Sequence, residues 1–422
     1  MRRLPLAWRL GFLGGVPPVR HWRRRRSGEI VVTYDEDSML FAAEPRTKWL
    51  PQDVDALLLW AAEIGASDIV LASGIRPRIR LHGAWRSVGN RPLETESSLR
   101  YILDEVTRSK DAWARLQGRE FLDPSYEVAV PGDREKRKVR FRLNATACRD
   151  GADIGISLVF RTIPEVPPKL DALGVESDLR PFFFPNNGLV LVTGVMGSGK
   201  STLLGGVMRE IVETTDKHIL TYEAPVEFDL MRLNDTTGSG AFVVQTEIGR
   251  HVESFKVAPK NSTRRAADVV LYGEVRDVET VGGMIEQAEV GTTVYATLHT
   301  PSVASTPGRI INMFPAEDKP SMSAGFLGSI RLIVQQRLLK TRDKKRCAVR
   351  EWLAFDEGMR KSMLGMALAD LHVYLDEQVE RRGMPLLRSA QRLFDDGILL
   401  ESELEQVEAE KRAERDAAGG HP

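Results

Sequence analysis

Apolar and polar residues are patterned differently in the two halves of the chain. In the first half, apolar residues recur at helical spacing over residues 50–64 and 99–106, which predicts two helices. Short strands are predicted at residues 68–72, 78–82, 126–130 and 154–161, and at residues 138–144, where apolar and polar residues alternate. This mixture predicts a small α+β domain over residues 48–162.

The second half alternates short apolar strands with helical segments. Continuous apolar runs predict buried strands, at residues 189–193, 219–222, 269–272 and 293–297. Strands that alternate with helices predict a mainly parallel sheet, so residues 182–357 form an α/β domain. Residues 163–181 are rich in proline and predict a stiff linker, and residues 358–422 predict a helical C-terminal region and tail.

A glycine-rich loop joins the first of these strands to a helix predicted at residues 201–212. Residues 194–201 read Gly-Val-Met-Gly-Ser-Gly-Lys-Ser, a complete phosphate-loop motif in its proper strand–loop–helix context. Its backbone N–H groups and the helix N-terminus attract phosphate, Lys200 reaches the β- and γ-phosphates, and Ser201 offers a hydroxyl to Mg²⁺. The predicted cofactors are therefore ATP and Mg²⁺. The predicted binding residues are Gly194, Gly197, Ser198, Gly199, Lys200, Ser201 and Thr202.

Three more polar residues follow predicted strands, where ligands of parallel sheets bind. Glu223 is placed to orient the attacking water, although by itself it would be taken for a solvated carboxylate in a turn. Glu274 ends an apolar strand, as does the acid that holds Mg²⁺ in the Walker B arrangement, but apolar strands ending in an acid are common. His299 is placed to contact the γ-phosphate, although a lone histidine is usually structural.

Composition narrows the class of protein. The 422 residues include 59 Lys and Arg and 59 Asp and Glu, so a net charge of zero predicts indirect contact with nucleic acid or none. Two cysteines exclude a disulfide framework and fit a reducing cytosol. The chain has no run of eighteen apolar residues, so no membrane-spanning helix is predicted.

The first 47 residues form a basic extension. Eight arginines and no acid precede Glu29, and interruptions by Arg9 and Gly11 argue against a signal peptide. We expect a disordered arm. Two alternatives are that translation starts at Met39, and that the arm touches anionic lipid or nucleic acid.

Taken together, the motifs resemble the secretion ATPase superfamily, with its PilT-like and GspE-like members, which powers type II secretion, type IV pili and type IV secretion. That family has a Walker A loop, an acidic box, a Walker B segment and a histidine box in this order. Here these segments are residues 194–201, 220–228, 269–277 and 295–300. The resemblance covers about residues 50–340. It implies a RecA-like ATPase domain and a PAS-like N-terminal domain.

Finer details resemble the DotB and plasmid TraJ branch, which serves type IVB secretion and conjugative transfer. They lie in residues 245–255 and in Arg264 and Arg265. Two departures are Ala224, where the family has aspartate, and Thr292, where it has histidine. We expect Thr292 to leave one charged contact near the nucleotide missing, but hydrolysis to be retained.

The resemblance implies a homo-hexameric, cytoplasmic ATPase that associates with the inner membrane through secretion, conjugation and coupling proteins. A neighbouring subunit would supply an arginine to the phosphates. The candidates are Arg250, Arg264, Arg265 and the residues Arg140 and Arg142, which we expect to be exposed. Three alternatives remain: a pilus retraction or assembly ATPase, a structural subunit that binds nucleotide without hydrolysis, and a nucleic-acid translocase. A content of only 7% aromatic residues argues against the last.

Overall fold

The structure, a computed structural model, consists of two compact units, Met1–Ile163 and Pro164–Pro422. It describes residues 47–419 except 82–83, 134–137, 164–165 and 344, together with residues 20–24, 30–33, 41 and 43–45.

Helices of the first unit cover one face of an antiparallel sheet. The sheet order is β5-β4-β3-β9-β8-β6, and β7 also pairs with β8. Inward residues such as Leu57, Ile69 and Phe160 are fully buried between the helices and the sheet. The elements are α1 (Pro51–Glu63), β3 (Asp68–Ala72), β4 (Arg78–Leu81), β5 (Ala84–Ser87), α2 (Arg100–Thr107), α3 (Ala112–Gln117), β6 (Phe121–Leu122), β7 (Ser125–Ala129), β8 (Lys138–Asp150) and β9 (Asp153–Ile163).

The described part of the basic extension contains two paired strands. They are β1 (Arg20–Arg24) and β2 (Ile30–Thr33), which run antiparallel. The expectation of a disordered arm does not hold for these two segments. Met39 and the other residues before residue 41 lie outside the described residues.

The second unit is an α/β domain followed by helices. Its first elements are β10 (Gly188–Thr193), α4 (Lys200–Thr214), β11 (His218–Glu223), α5 (Met231–Thr237), β12 (Phe242–Glu247), α6 (Ala258–Ser262), β13 (Val269–Tyr272), α7 (Val278–Glu289) and β14 (Thr293–Leu298). The rest are α8 (Ser305–Ile311), α9 (Lys319–Ser329), β15 (Ile330–Lys340), β16 (Arg346–Ala354), α10 (Glu357–Met363), α11 (Leu368–Arg382), α12 (Leu386–Asp395) and α13 (Glu401–Gly419).

The sheet of this unit has the order β12-β11-β13-β14-β10-β15-β16. All neighbours are parallel except β16, which runs antiparallel to β15. The four strands expected from the apolar runs are present, and β10 and β14 are buried along their whole length. Because the parallel strands share one direction, the segments that follow β10, β11, β13 and β14 all emerge at one edge of the sheet.

The stretch that the sequence predicts as a linker packs against the second unit. Leu170, Leu179 and Phe183 are almost fully buried in its core. Arg209 on α4 donates to the carbonyl of Pro167 at 2.7 Å, and Arg180 forms an ion pair with Glu210, also on α4, at 2.8 Å. Described residues 166–181 are therefore attached to α4, the helix that begins at the phosphate loop.

The helical C-terminal region is present, from α10 to α13. A separate apolar cluster joins α12 and α13 to β16 through Val349, Ala390 and Leu404. Within the described residues, no helix combines the length and apolar character needed to cross a membrane.

Candidate functional site

The phosphate loop at the end of β10 has the backbone shape that its glycines predict. Gly194, Gly197 and Gly199 have φ of +138°, +77° and +83°, which side-chain-bearing residues rarely adopt. A Cβ on Gly194 would stand 2.4 Å from the carbonyl oxygen of Gln336, whereas one on Gly197 would meet nothing within 4 Å. The loop is thus packed on β15 at one end and open in its middle.

Lys200 begins α4 and turns back over this loop. Its Nζ donates to the carbonyls of Gly194 and Val195, both at 2.9 Å. Burial lowers the pKa of Lys200, and the nearby carboxylate of Glu274 partly opposes that effect. Ser201 and Thr202 lie in the first turn of α4, where backbone N–H groups lack helical partners.

Glu274 and His299 meet at the same edge. His299 Nε2 lies 3.2 Å from Glu274 Oε1, and Arg276 holds both carboxylate oxygens of Glu274 at 2.6 Å. Burial tends to raise the pKa of Glu274, but Arg276 and His299 outweigh burial and hold it below its usual value. The sequence reasoning missed Arg276, although it lies two residues after Glu274.

The backbone fixes Glu274 in place. Gly273 N–H donates to the carbonyl of Tyr222 at 2.8 Å, and Val275 N–H donates to the carbonyl of Thr297 at 3.1 Å. Asp277 then caps α7 by accepting from the N–H of Thr280 at 2.8 Å. Glu274 therefore lies in a short segment whose backbone is hydrogen-bonded to β11 and β14 and which ends where α7 begins.

Glu223 is buried rather than solvated, so the reading of it as a solvated carboxylate is wrong. Its carboxylate accepts from Thr221 Oγ1 at 2.7 Å, the N–H of Glu227 at 3.1 Å and Gln245 Nε2 at 3.3 Å. Burial nevertheless raises its pKa, which favours a carboxyl that takes up a proton more readily than usual.

The sequence reasoning also missed Glu247, the buried neighbour of Glu223. The two residues are paired across β12 and β11, and Val226 N–H lies 3.4 Å from Glu247 Oε2. Two carboxylates at one edge suit acid–base work or metal binding better than packing. A charged residue three positions after the apolar run 241–244 was the available signal.

The candidate arginines are spread widely. Arg250 is exposed in the turn after β12, at the carboxyl edge but at the far end of the strand order from β10. Arg265 precedes β13, at the opposite edge, with Nη1 3.5 Å from Tyr222 Oη. Neither lies at this chain's own phosphate loop, so a nucleotide contact by either stays a prediction about a neighbouring copy. Arg140 is buried beside Glu127, and Arg142 is half-buried, so the expectation that both are exposed is wrong.

Thr292 lies at the amino edge of the sheet, just before β14. Its carbonyl accepts from the N–H of Gly188, and its hydroxyl lies 3.5 Å from the carbonyl of Ala267. The six residues of β14 separate it from the edge that carries His299, about 20 Å away. The expectation that Thr292 removes a charged contact near this chain's nucleotide is therefore wrong.

These residues fit a nucleotide and Mg²⁺. The buried hydroxyl of Ser198 has no hydrogen-bond partner among the described residues, and the open side of Gly197 leaves room for a phosphate. The hydroxyl of Ser201 and the carboxylate of Glu274 are oxygen ligands of the kind Mg²⁺ prefers. Among described residues, no cluster of three or more His, Cys, Asp and Glu could hold a metal ion.

Comparison with known proteins agrees with this geometry. The family described as "Type II/IV secretion system protein" matches residues 50–374. The type IV pilus retraction ATPase PilT of Pseudomonas aeruginosa is 34% identical over 299 residues, which are 71% of this chain and 81% of that protein.

Solved structures give the same family. The ATPase DotB of Legionella pneumophila superposes with a TM-score of 0.75 at 32% identity, covering 87% of this chain and 98% of DotB. The pilus retraction motor PilT, solved with bound ADP, superposes with a TM-score of 0.70 at 27% identity, covering 84% of this chain and 96% of PilT. The RecA-like ATPase fold expected of residues 182–357 follows from these superpositions. The chain belongs to the type II/IV secretion system protein family, whose relatives here are secretion and pilus ATPases.

Proposed function

We propose that the protein is an ATP-hydrolysing motor, working as a homo-hexamer at the inner membrane, of a DotB-like type IV secretion or conjugative DNA-transfer system. The observation that carries hydrolysis is the direct contact of Glu274 with His299 at the edge that also carries the phosphate loop. The match to nearly the whole of DotB supports the choice of system.

Each residue has a role that its geometry supports. Lys200 would exchange its two loop carbonyls for the β- and γ-phosphates, because charged phosphate oxygens bind an ammonium more strongly than neutral carbonyls do. Ser201 and Glu274 would hold Mg²⁺, which would neutralise charge on the phosphates. Glu223 orients water or accepts its proton, because burial has raised its pKa. His299, held by Glu274, faces the γ-phosphate.

The hexamer supplies what one chain lacks. Arg250 follows β12, at the far end of the strand order from β10, and Arg265 precedes β13, at the opposite edge of the sheet from the phosphate loop of its own chain. An arginine on the transferring phosphoryl group would therefore come from a neighbouring copy, with these two as candidates. A rotation about the boundary between the two units would then transmit hydrolysis to membrane partners.

A pilus retraction or assembly ATPase is the second candidate. The 34% identity to PilT favours it. A structural subunit that binds nucleotide without hydrolysis stays a third candidate, although Thr292, the departure that motivated it, lies at the opposite edge of the sheet from this chain's own phosphate loop.

A pull-down from the native host separates the two motors. The bait is Glu274→Gln, which we expect to bind ATP and hydrolyse it poorly, and the control bait is Lys200→Ala, which should not retain ATP. Recovery of a coupling protein and type IVB core components with the first bait alone supports the proposal. Recovery of a pilus platform protein and pilins contradicts it and favours the pilus motor.

A further inference from the structure

Arg350 is a fully buried arginine on the edge strand β16. Its Nε donates to Gln336 Oε1 at 2.8 Å, and Nη1 donates to the carbonyl of Gly174 at 2.9 Å and to Glu176 Oε2 at 3.0 Å. Its Nη2 donates to the carbonyl of Leu173 at 3.0 Å. A buried guanidinium is costly unless its N–H groups are paired, so this arrangement needs a reason beyond filling space.

Arg350 sets the orientation of the Gln336 side chain. A guanidinium has no acceptor, so it requires the amide oxygen of Gln336 to face it. The amide nitrogen of Gln336 then points the other way and donates to the carbonyl of Ser198, in the phosphate loop, at 2.7 Å. The carbonyl of Ser198 selects the same orientation, and Arg350 adds a second hydrogen bond that holds the amide from its other side.

Gln336 supports the phosphate loop at both ends. Its backbone oxygen lies 2.4 Å from the point where a Cβ on Gly194 would stand, and its Nε2 lies 3.0 Å from the corresponding point on Gly199. The loop therefore takes its shape against one residue of β15, and the position of that residue's amide depends on Arg350.

The other end of the network leads to the same loop by a second route. Residues 173–176 belong to the stretch that packs on α4, through the contact of Arg209 with Pro167 and the pair of Arg180 with Glu210. Because α4 begins at Lys200, Arg350 is connected to the phosphate loop in two ways. One connection runs through Gln336, and the other runs through residues 173–176 and α4. The N–H of Arg350 also donates to Ser389 Oγ on α12 at 3.1 Å.

We propose that Arg350 is a positioning residue, which fixes the phosphate loop through Gln336 and ties it to residues 173–176, just after the boundary between the two units. The inference rests on the proposed nucleotide site. Losing one neutral hydrogen bond to the loop corresponds to nucleotide binding about three- to tenfold weaker, which is about 0.7–1.4 kcal/mol.

The test uses three variants of the full chain. Arg350→Met removes the guanidinium but keeps an unbranched side chain. Gln336→Met removes the bond to Ser198 and the acceptor of Arg350 Nε, but leaves the guanidinium paired with Glu176. Arg331→Met is the matched control, because Arg331 lies at the other end of β15, bonded to Asn187 at 2.8 Å. Arg350→Lys keeps the charge but not the fork and should restore only part of the effect.

Two readouts separate positioning from general stability. Fluorescent N-methylanthraniloyl-ADP gives the dissociation constant. Hydrogen exchange of nucleotide-free protein gives the opening of residues 194–201. We expect Arg350→Met and Gln336→Met to weaken binding three- to tenfold and speed exchange in those residues. Their effects should not add in the double variant, and Arg331→Met should change neither readout.

The outcomes are distinguishable. If both variants bind within twofold of wild type and the loop exchanges unchanged, Arg350 does not position the loop. If Arg350→Met fails to fold, Gln336→Met decides by the same readouts. If wild type binds no nucleotide, the proposed function fails, and the exchange of residues 194–201 still decides whether Arg350 fixes the loop.

Discussion

Substituting alanine at two glycines of the phosphate loop should have unequal effects on the stability of the second unit. At Gly194, φ of +138° and a Cβ 2.4 Å from the Gln336 carbonyl combine backbone strain with a clash against strand backbone. Strain of this kind costs about 1–3 kcal/mol, and overpacking about 1–3 kcal/mol more. Alanine also reduces the entropy of the unfolded chain, which offsets about 0.4–1 kcal/mol, so Gly194→Ala should lose about 1–6 kcal/mol of the free energy of unfolding.

Gly197→Ala is the matched control within the same loop. Its φ of +77° carries a left-handed penalty of about 1–2 kcal/mol, but its Cβ meets nothing within 4 Å. Alanine also reduces the entropy of the unfolded chain, which returns about 0.4–1 kcal/mol. The net loss at Gly197 should be about 0–1.6 kcal/mol.

The unfolding midpoint of the second unit alone can be measured by titrating with urea and monitoring hydrogen exchange in β10 peptides by mass spectrometry. The midpoint of Gly194→Ala should fall well below that of Gly197→Ala. Equal midpoints would refute the reasoning, because they would mean that β15 does not back the loop as closely as 2.4 Å implies.

Three further predictions concern Glu274, Thr292 and Tyr295. Arg276 and His299, outweighing burial, lower the pKa of Glu274 from 4.5, so its charged form stabilises the fold above that pH. Glu274→Gln should be less stable by under about 1 kcal/mol at pH 7, and the gap in urea midpoint should close as the pH falls below 4.5; a constant gap contradicts this. Thr292→Ala should change the ADP dissociation constant less than twofold, whereas a tenfold loss would place Thr292 at the nucleotide. Tyr295→Phe removes a buried bond to the Phe183 carbonyl at 2.7 Å and should cost about 1–3 kcal/mol by the same exchange titration; no loss would mean that the bond is not made in solution.

The sequence predicted the strands that carry the site because their signal is local. Residues 269–272 form an unbroken apolar run, and β13 occupies the same four positions. Glycines and a lysine at fixed spacing likewise predicted the loop and the start of α4.

Other features depend on contacts between distant residues. Nothing near Glu223 shows that Gln245, on the next strand, covers it. Thr292 was expected near the nucleotide because it belongs to the same motif as His299, but a strand carries motif residues to opposite edges of the sheet. Gln336 on β15 and Arg350 on β16 are neighbours across the sheet, 14 residues apart in the chain. No pattern in either segment predicts that Arg350 bonds to Gln336 or that Gln336 bonds to the loop.

The central claim is that residues 194–201 and Glu274 hydrolyse ATP. Release of phosphate from Mg-ATP should be measured for wild type, Lys200→Ala and Arg331→Met under the same conditions. We expect turnover in wild type and in Arg331→Met, and loss of turnover by at least about a hundredfold in Lys200→Ala. Equal rates for wild type and Lys200→Ala, whether both active or both inactive, would contradict the claim.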